Sequence, residues 1–142
     1  MFRNSTKFIF GFVLLTSAAC GGHPVQIGVY APYPRDQVFN NIQRKVTELG
    51  YTVQRADSVN YSLVASRTLD PPVTGADFEE MAITVAPDAT GVPKITITTA
   101  RVLRATADRP AKRVAAGTKT TRDANTVLQM YMQVKPPAEH QE

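Results

Sequence analysis

Residues 38–50, Val38-Phe39-Asn40-Asn41-Ile42-Gln43-Arg44-Lys45-Val46-Thr47-Glu48-Leu49-Gly50, decide the fold together with the two short runs that follow them, Tyr51-Thr52-Val53-Gln54-Arg55 and Tyr61-Ser62-Leu63-Val64-Ala65-Ser66-Arg67. Val38, Phe39, Ile42, Val46 and Leu49 recur at helical spacing and form one apolar stripe. Arg35, Gln37, Asn41, Arg44, Lys45 and Glu48 make the opposite, wet face, so the helix packs through one side only. Pro34 suits the first helical position, and Asp36 places a negative charge in the first turn. Gly50 is the expected stop, because glycine takes the left-handed cap without a Cβ clash. The two runs after Gly50 alternate as strands, and Asp57, Ser58 and Asn60 supply the turn between them.

Working outward, Val25-Gln26-Ile27-Gly28-Val29-Tyr30 alternates as a strand and is broken by Ala31-Pro32-Tyr33-Pro34. Residues 70–77, with Pro71, Pro72 and Gly75, read as a loop. Residues 80–86 put Met81, Ile83 and Val85 on one face, and residues 87–91 are a turn. Residues 94–107 are β-rich, but Ile95 and Ile97 have the opposite parity to Ala100 and Val102, which predicts a bulge near Thr98-Thr99. The short connection makes these two strands antiparallel. Residues 108–121 show little pattern. Residues 123–135 space Ala124, Val127, Leu128, Tyr131 and Val134 as a helix; a strand through Leu128, Met130, Met132 and Val134 competes, and length favours the helix. The expected fold is α+β: an antiparallel sheet of four or five strands with two amphipathic helices packed on one face.

The amino end reads as an address. Met1 to Lys7 carries Arg3 and Lys7 and no acid, residues 8–15 are apolar but for Gly11, and Thr16-Ser17-Ala18-Ala19 is small and weakly polar before Cys20-Gly21-Gly22. That order is a secretory signal. A spanning helix needs about 20 apolar residues, and the stretch from Phe8 to Ala19 is only 12 residues long. The expected organisation is a signal over 1–19, a tether over 20–24, one domain over 25–135 and a loose tail over 136–142. Cutting after Ala19 removes Arg3 and Lys7 and leaves 14 basic against 12 acidic side chains.

The sole cysteine, Cys20, sits at that cut, and the segment resembles a bacterial lipoprotein signal, in which the cysteine becomes the acylated first residue. Ser17 stands where such signals usually have Leu, and Ser17-Ala18-Ala19 also fits an ordinary signal cut at the same bond. Gly21 rather than Asp follows the cysteine, which the resemblance reads as outer-membrane sorting. The helix, Leu49-Gly50-Tyr51-x-Val53, the polar turn and Tyr61-Ser62-Leu63-Val64 resemble the helix-grip domains of envelope lipoproteins attached to the outer-membrane β-barrel assembly machine. Cys20-Gly21, a strand and a helix are also similar to the small lipoprotein that plugs the lipopolysaccharide translocon. Either resemblance implies an accessory role beside a larger membrane protein, without catalysis.

One cysteine excludes an internal disulfide framework, a CxxC pair and a Cys-rich zinc site. His23 and His140 lie near the two ends, and neither GxSxG nor SxxK occurs, so no nucleophile has an evident base and no enzyme is expected. Asp70, Asp77, Glu79, Glu80 and Asp88 fall in a run without Lys or Arg; it lacks EF-hand spacing, and no metal or cofactor is expected. Glu79 and Glu80, as strand neighbours, are expected to be solvated. Arg101, Arg104, Arg109, Lys112, Arg113, Lys119 and Arg122 face Asp108 alone, so charge is segregated along the chain. The basic segment is either a solvated loop or a dock for anionic lipid heads or an acidic protein face. Nucleic acid fits the charge but not an exported address, and aromatic interleaving is missing. The reading is a lipid-anchored, periplasm-facing accessory or scaffold subunit of a larger membrane complex, the outer membrane favoured over the inner. The alternative is a carrier of a lipid or small amphiphile, with Ala56, Ala65, Ala82, Ala86 and Ala100 leaving room between sheet and helices.

Overall fold

The structure, a computed structural model, describes residues 22–73 and 75–132, with no account of the Val73 side chain. The expected signal over 1–19, Cys20, the tail over 136–142 and residues 133–135 of the second expected helix lie outside the described residues. In chain order the elements are β1 (Val25–Tyr30), α1 (Arg35–Glu48), β2 (Thr52–Asp57), β3 (Ser62–Val73), β4 (Ala76–Pro87), β5 (Pro93–Leu103), β6 (Lys112–Val114) and α2 (Thr118–Met132). The fold is α+β, with six described strands rather than four or five, every pair antiparallel.

The strand order is β1-β5-β4-β3-β2, with β6 also on β5. β2 to β5 form a meander. α1 carries the chain from β1 on one edge to β2 on the other, and the meander returns to β1. β1 pairs with residues 94–99 of β5, and β6 pairs with residues 101–103. The two short strands therefore follow one another along the same side of β5. Ala115 N–H donates to the Gly22 carbonyl at 2.8 Å where they meet.

α1 forms where the apolar stripe predicts it, and buries Val38, Phe39, Ile42 and Val46. Pro34 sits one residue before the helix rather than inside it. Gly50 follows with φ +91°, a conformation in which a Cβ would be strained. The β2–β3 turn closes on Asp57, whose carboxylate accepts the Val59 and Asn60 N–H groups at 2.9 and 3.0 Å. In the β4–β5 turn Asp88 does the same for Thr90 and Val92. One hydrophobic cluster joins Val38, Phe39, Ile42 and Val46 of α1, Ala124, Val127, Leu128 and Tyr131 of α2, and Leu63, Ala65, Met81, Ile83, Val85, Ile95 and Ile97 of the sheet. At its margin Phe39 meets the Tyr61 ring edge-on at 5.6 Å.

Three expectations change. The loop expected over 70–77 is mostly strand, because β3 and β4 extend as a hairpin until Val73 faces Ala76. The bulge expected near Thr98-Thr99 does not form: β5 keeps register with β4 from Val102 to Pro93 and with β1 up to Thr99. Its change of phase has another cause, since Ala100 and Val102 are buried on the face opposite Ile95 and Ile97. Register shifts lie instead in β2, at Gln54 between Val53 and Arg55, and near the far end of the β3–β4 hairpin, between Thr68 and Val73 and between Ala76 and Phe78. The segment read as patternless holds β6, three residues too short to show periodicity.

Candidate functional site

The acidic run 70–88 falls on β3 and β4, and the basic run begins on the neighbouring β5 and β6. Antiparallel register sets the two against each other: Glu79 is directly opposite Arg101, and Glu80 is opposite Ala100. Charges far apart in sequence thus become cross-strand partners.

Glu79 and Glu80 are buried rather than solvated. Glu79 has 0% exposure. Its Oε1 accepts from Arg101 Nη2 at 2.9 Å and Nε at 3.3 Å, and Arg67 Nη2 lies 3.7 Å away. Its Oε2 accepts the Gly117 N–H at 3.0 Å, just ahead of α2. Burial opposes ionisation of this carboxyl. Hydrogen bonds from Thr120, Arg101 and the Gly117 N–H, with the Arg67 charge, outweigh it and hold the group below the usual glutamate range. Glu80 points to the other face of the sheet and pairs with Arg113 Nε. Since Arg113 is opposite Val102 on β6, that side chain crosses β5 to reach β4. Its long stem helps explain why Ala100 and Val102 are buried there. Both glutamates are buried because each has a cation to meet, which spacing alone does not reveal.

The Glu79 network continues under α2. Arg67 Nε donates to Thr120 Oγ1 at 2.9 Å, and the Tyr51 hydroxyl lies 3.1 Å from the same oxygen. Tyr51 donates to Asp123 Oδ2 at 2.9 Å, and Lys119 Nζ reaches that atom at 2.6 Å. Burial pushes the Tyr51 hydroxyl up to about 12, opposed by the Thr120 hydrogen bond and reinforced by Asp123. The cluster therefore holds one ionised, fully enclosed carboxylate and one phenol far from deprotonation near neutrality. Its groups are placed to lock the amino end of α2 onto β3, β4 and β5.

The seven basic residues divide accordingly. Arg101 binds Glu79, Arg104 binds Asp77 at 2.9 Å, Arg113 binds Glu80 and Lys119 binds Asp123. Arg109, Lys112 and Arg122 are exposed and have no acidic partner among the described residues. The segregation of charge seen along the sequence is largely cancelled in three dimensions, with three of the seven cations left unmatched among the described residues. Cys20 lies outside the described residues, two positions before Gly22.

The five alanines suspected of leaving space do not converge. Ala65 and Ala100 are buried on opposite faces, whereas Ala56 and Ala86 are exposed. Surface depressions among the described residues include an open one of about 460 Å³ along Asn40, Gln43, Arg44, Thr47 and Glu48 of α1, and a crevice of about 180 Å³ among Tyr33, Gln37, Asn41, Met130 and Tyr131. Among the described residues, no three His, Cys, Asp or Glu side chains gather to hold a metal, and no helix is long and apolar enough to cross a membrane. No protein-family model matches the chain, and no curated protein matches it.

Proposed function

We propose that this chain is a lipid-anchored accessory subunit of the cell envelope, acylated at Cys20 and facing the periplasm, that binds a larger membrane protein complex. One observation carries the reading: a positive end, an apolar stretch and small residues lead to the only cysteine, five residues before the first strand. In this account the two helices lie together on one face of the sheet, and the opposite face is left to a partner. That opposite face is rich in small side chains, among them Ser62, Val64, Ser66, Ala82, Thr84, Thr96 and Thr98, which suits close approach of another protein surface. Arg109, Lys112 and Arg122 are the cations available to an acidic partner. The outer membrane is favoured because Gly21 rather than Asp follows Cys20. The carrier reading has less support, since Ile42, Val46, Ile83, Ile97 and Val127 meet in the one cluster that would have to open for a ligand.

The test is recovery from membranes in mild detergent at native expression level. The account expects a stable partner, and weaker recovery of it when Arg109, Lys112 and Arg122 are changed together to Glu. Isolation of the chain alone at low salt contradicts it. Unchanged recovery with the triple variant removes these cations from the account.

A further inference from the structure

We propose that the outer edge of β1 is a self-association site, at which a second copy of this chain adds its own β1 in antiparallel pairing to make one continuous sheet. The inference stands on the sheet edge alone and does not depend on acylation.

The two edges of the sheet are built differently. A free edge offers a row of unpaired N–H and C=O groups, and proteins usually blunt it with charge, proline or a bulge. β2 is blunted: it carries a register shift at Gln54, with Arg55 beside it and Asp57 at its end. β1 has none of these devices. Its sequence, Val25-Gln26-Ile27-Gly28-Val29-Tyr30, holds no charge and no proline, and its register with β5 is unbroken over all six residues. Its only strand partner among the described residues is β5. No other backbone hydrogen bond among them involves residues 25–30. Val25 and Tyr30 are 42% and 47% exposed, and at Gly28 β1 runs close against β5, where a Cβ would stand 3.0 Å from the Ile95 carbonyl oxygen and 3.1 Å from Lys94 Cε.

Self-complementarity selects the occupant. In an antiparallel pair the residues directly opposite must share the same outward or inward hydrogen-bonding phase. A two-fold axis therefore passes through a residue rather than between two. An axis at Ile27 sets Val25 opposite Val29 of the second copy and Ile27 opposite its own equivalent. The apolar side chains on the core-facing side then form one row. On the other side Gln26 meets Gly28, and no like charges are brought together, because β1 has none. Such an isologous interface closes on itself and does not propagate into fibres.

The experiment is light scattering of the full chain in mild detergent across protein concentration. Alongside it, hydrogen exchange is followed in residues 25–30. The proposal expects a concentration-dependent species of twice the monomer mass. It also expects exchange in residues 25–30 to slow as that species forms, with the exposed edge strand β2 unaffected. Changing both exposed positions (V25K and Q26K) should abolish the dimer and leave the melting temperature within a few degrees of the parent. A chain that stays monomeric at all concentrations overturns the proposal, whether the edge is then covered by residues outside 22–132 or by a strand from a different protein. A dimer whose 25–30 exchange does not change with concentration also overturns it, and this readout needs no variant.

Discussion

Glu79 caps the amino end of α2 by accepting the Gly117 N–H at 3.0 Å, and Gly117 lies so close to the ion pair that a Cβ there would stand 2.9 Å from Arg101 Nη2 and 3.0 Å from Glu79 Oε1. An anion at a helix amino terminus is favoured by the aligned peptide dipoles. Here the anion is already held by Arg101, so helix start and sheet are joined through one carboxylate. Gly117→Ala should destabilise the domain by about 1–3 kcal/mol, the range for forcing extra volume into a packed site. Thermal unfolding followed by circular dichroism measures this. An unchanged midpoint would mean that the cluster yields easily and does not fix α2.

Breaking the charge pair itself should cost more. Glu79→Gln removes the negative charge facing Arg67 and Arg101 and should cost about 3 kcal/mol, the low end for a buried pair because both arginines keep some contact with water. A pH signature accompanies it. The folded-state pKa of Glu79 lies below its ordinary value of 4.5, so its contribution is fully present above that value and is lost as pH falls through the lower, folded one. The stability gap between parent and Glu79→Gln should therefore be largest above about pH 5 and shrink steadily in more acid solution. A gap independent of pH would place the effect in packing rather than charge.

Two buried tyrosines give opposite expectations. Tyr51 bridges Thr120 and Asp123, so Tyr51→Phe strands two polar groups and should cost about 1–2 kcal/mol. The Tyr131 hydroxyl is buried and has no hydrogen-bond partner among the described residues, so Tyr131→Phe should be neutral or stabilising by up to about 1 kcal/mol. Denaturant titration of the two variants side by side decides this, and equal losses would contradict the network. In alkaline titration of the parent by ultraviolet absorbance, the phenol of Tyr51 should ionise near 12.

The face of α1 is tested by Val46→Asp. Val46 is fully buried in the central cluster, and an unpaired carboxylate there should cost several kcal/mol, enough to unfold a marginal domain. A variant that melts with the parent would mean the helix turns another side to the sheet.

Much of this architecture is legible in local pattern. The stripe from Val38 to Val46, the stop at Gly50 and the turn residues around Asp57 each act over a few residues, and the structure follows them. The parts that sequence reading misses depend on partners distant along the chain. α2 begins at Thr118 instead of 123, because its first turn is held by Glu79 and Arg67 from other strands. Residues 70–77 look like a loop from Pro71, Pro72 and Gly75, yet β3 and β4, after a register shift between Thr68 and Val73, pair again at Val73 and Ala76. Glu79 and Glu80 look solvated until the register brings Arg101 and Arg113 to them. The basic segment misleads for the same reason: a run of seven cations suggests a large anion dock, but four are matched by acids on the adjacent strand, across an intervening strand or one helical turn away. The alternating signs of residues 70–88 and 101–122 are better read as the two sides of a cross-strand ionic seam.

The intact mass of the protein isolated from its native host membrane tests the central claim most directly. The account predicts a chain beginning at Cys20, lacking residues 1–19 and carrying the added mass of acyl chains on that residue. A mass equal to the unprocessed 142-residue sequence with a free thiol, recovered from the cytosol, would contradict it.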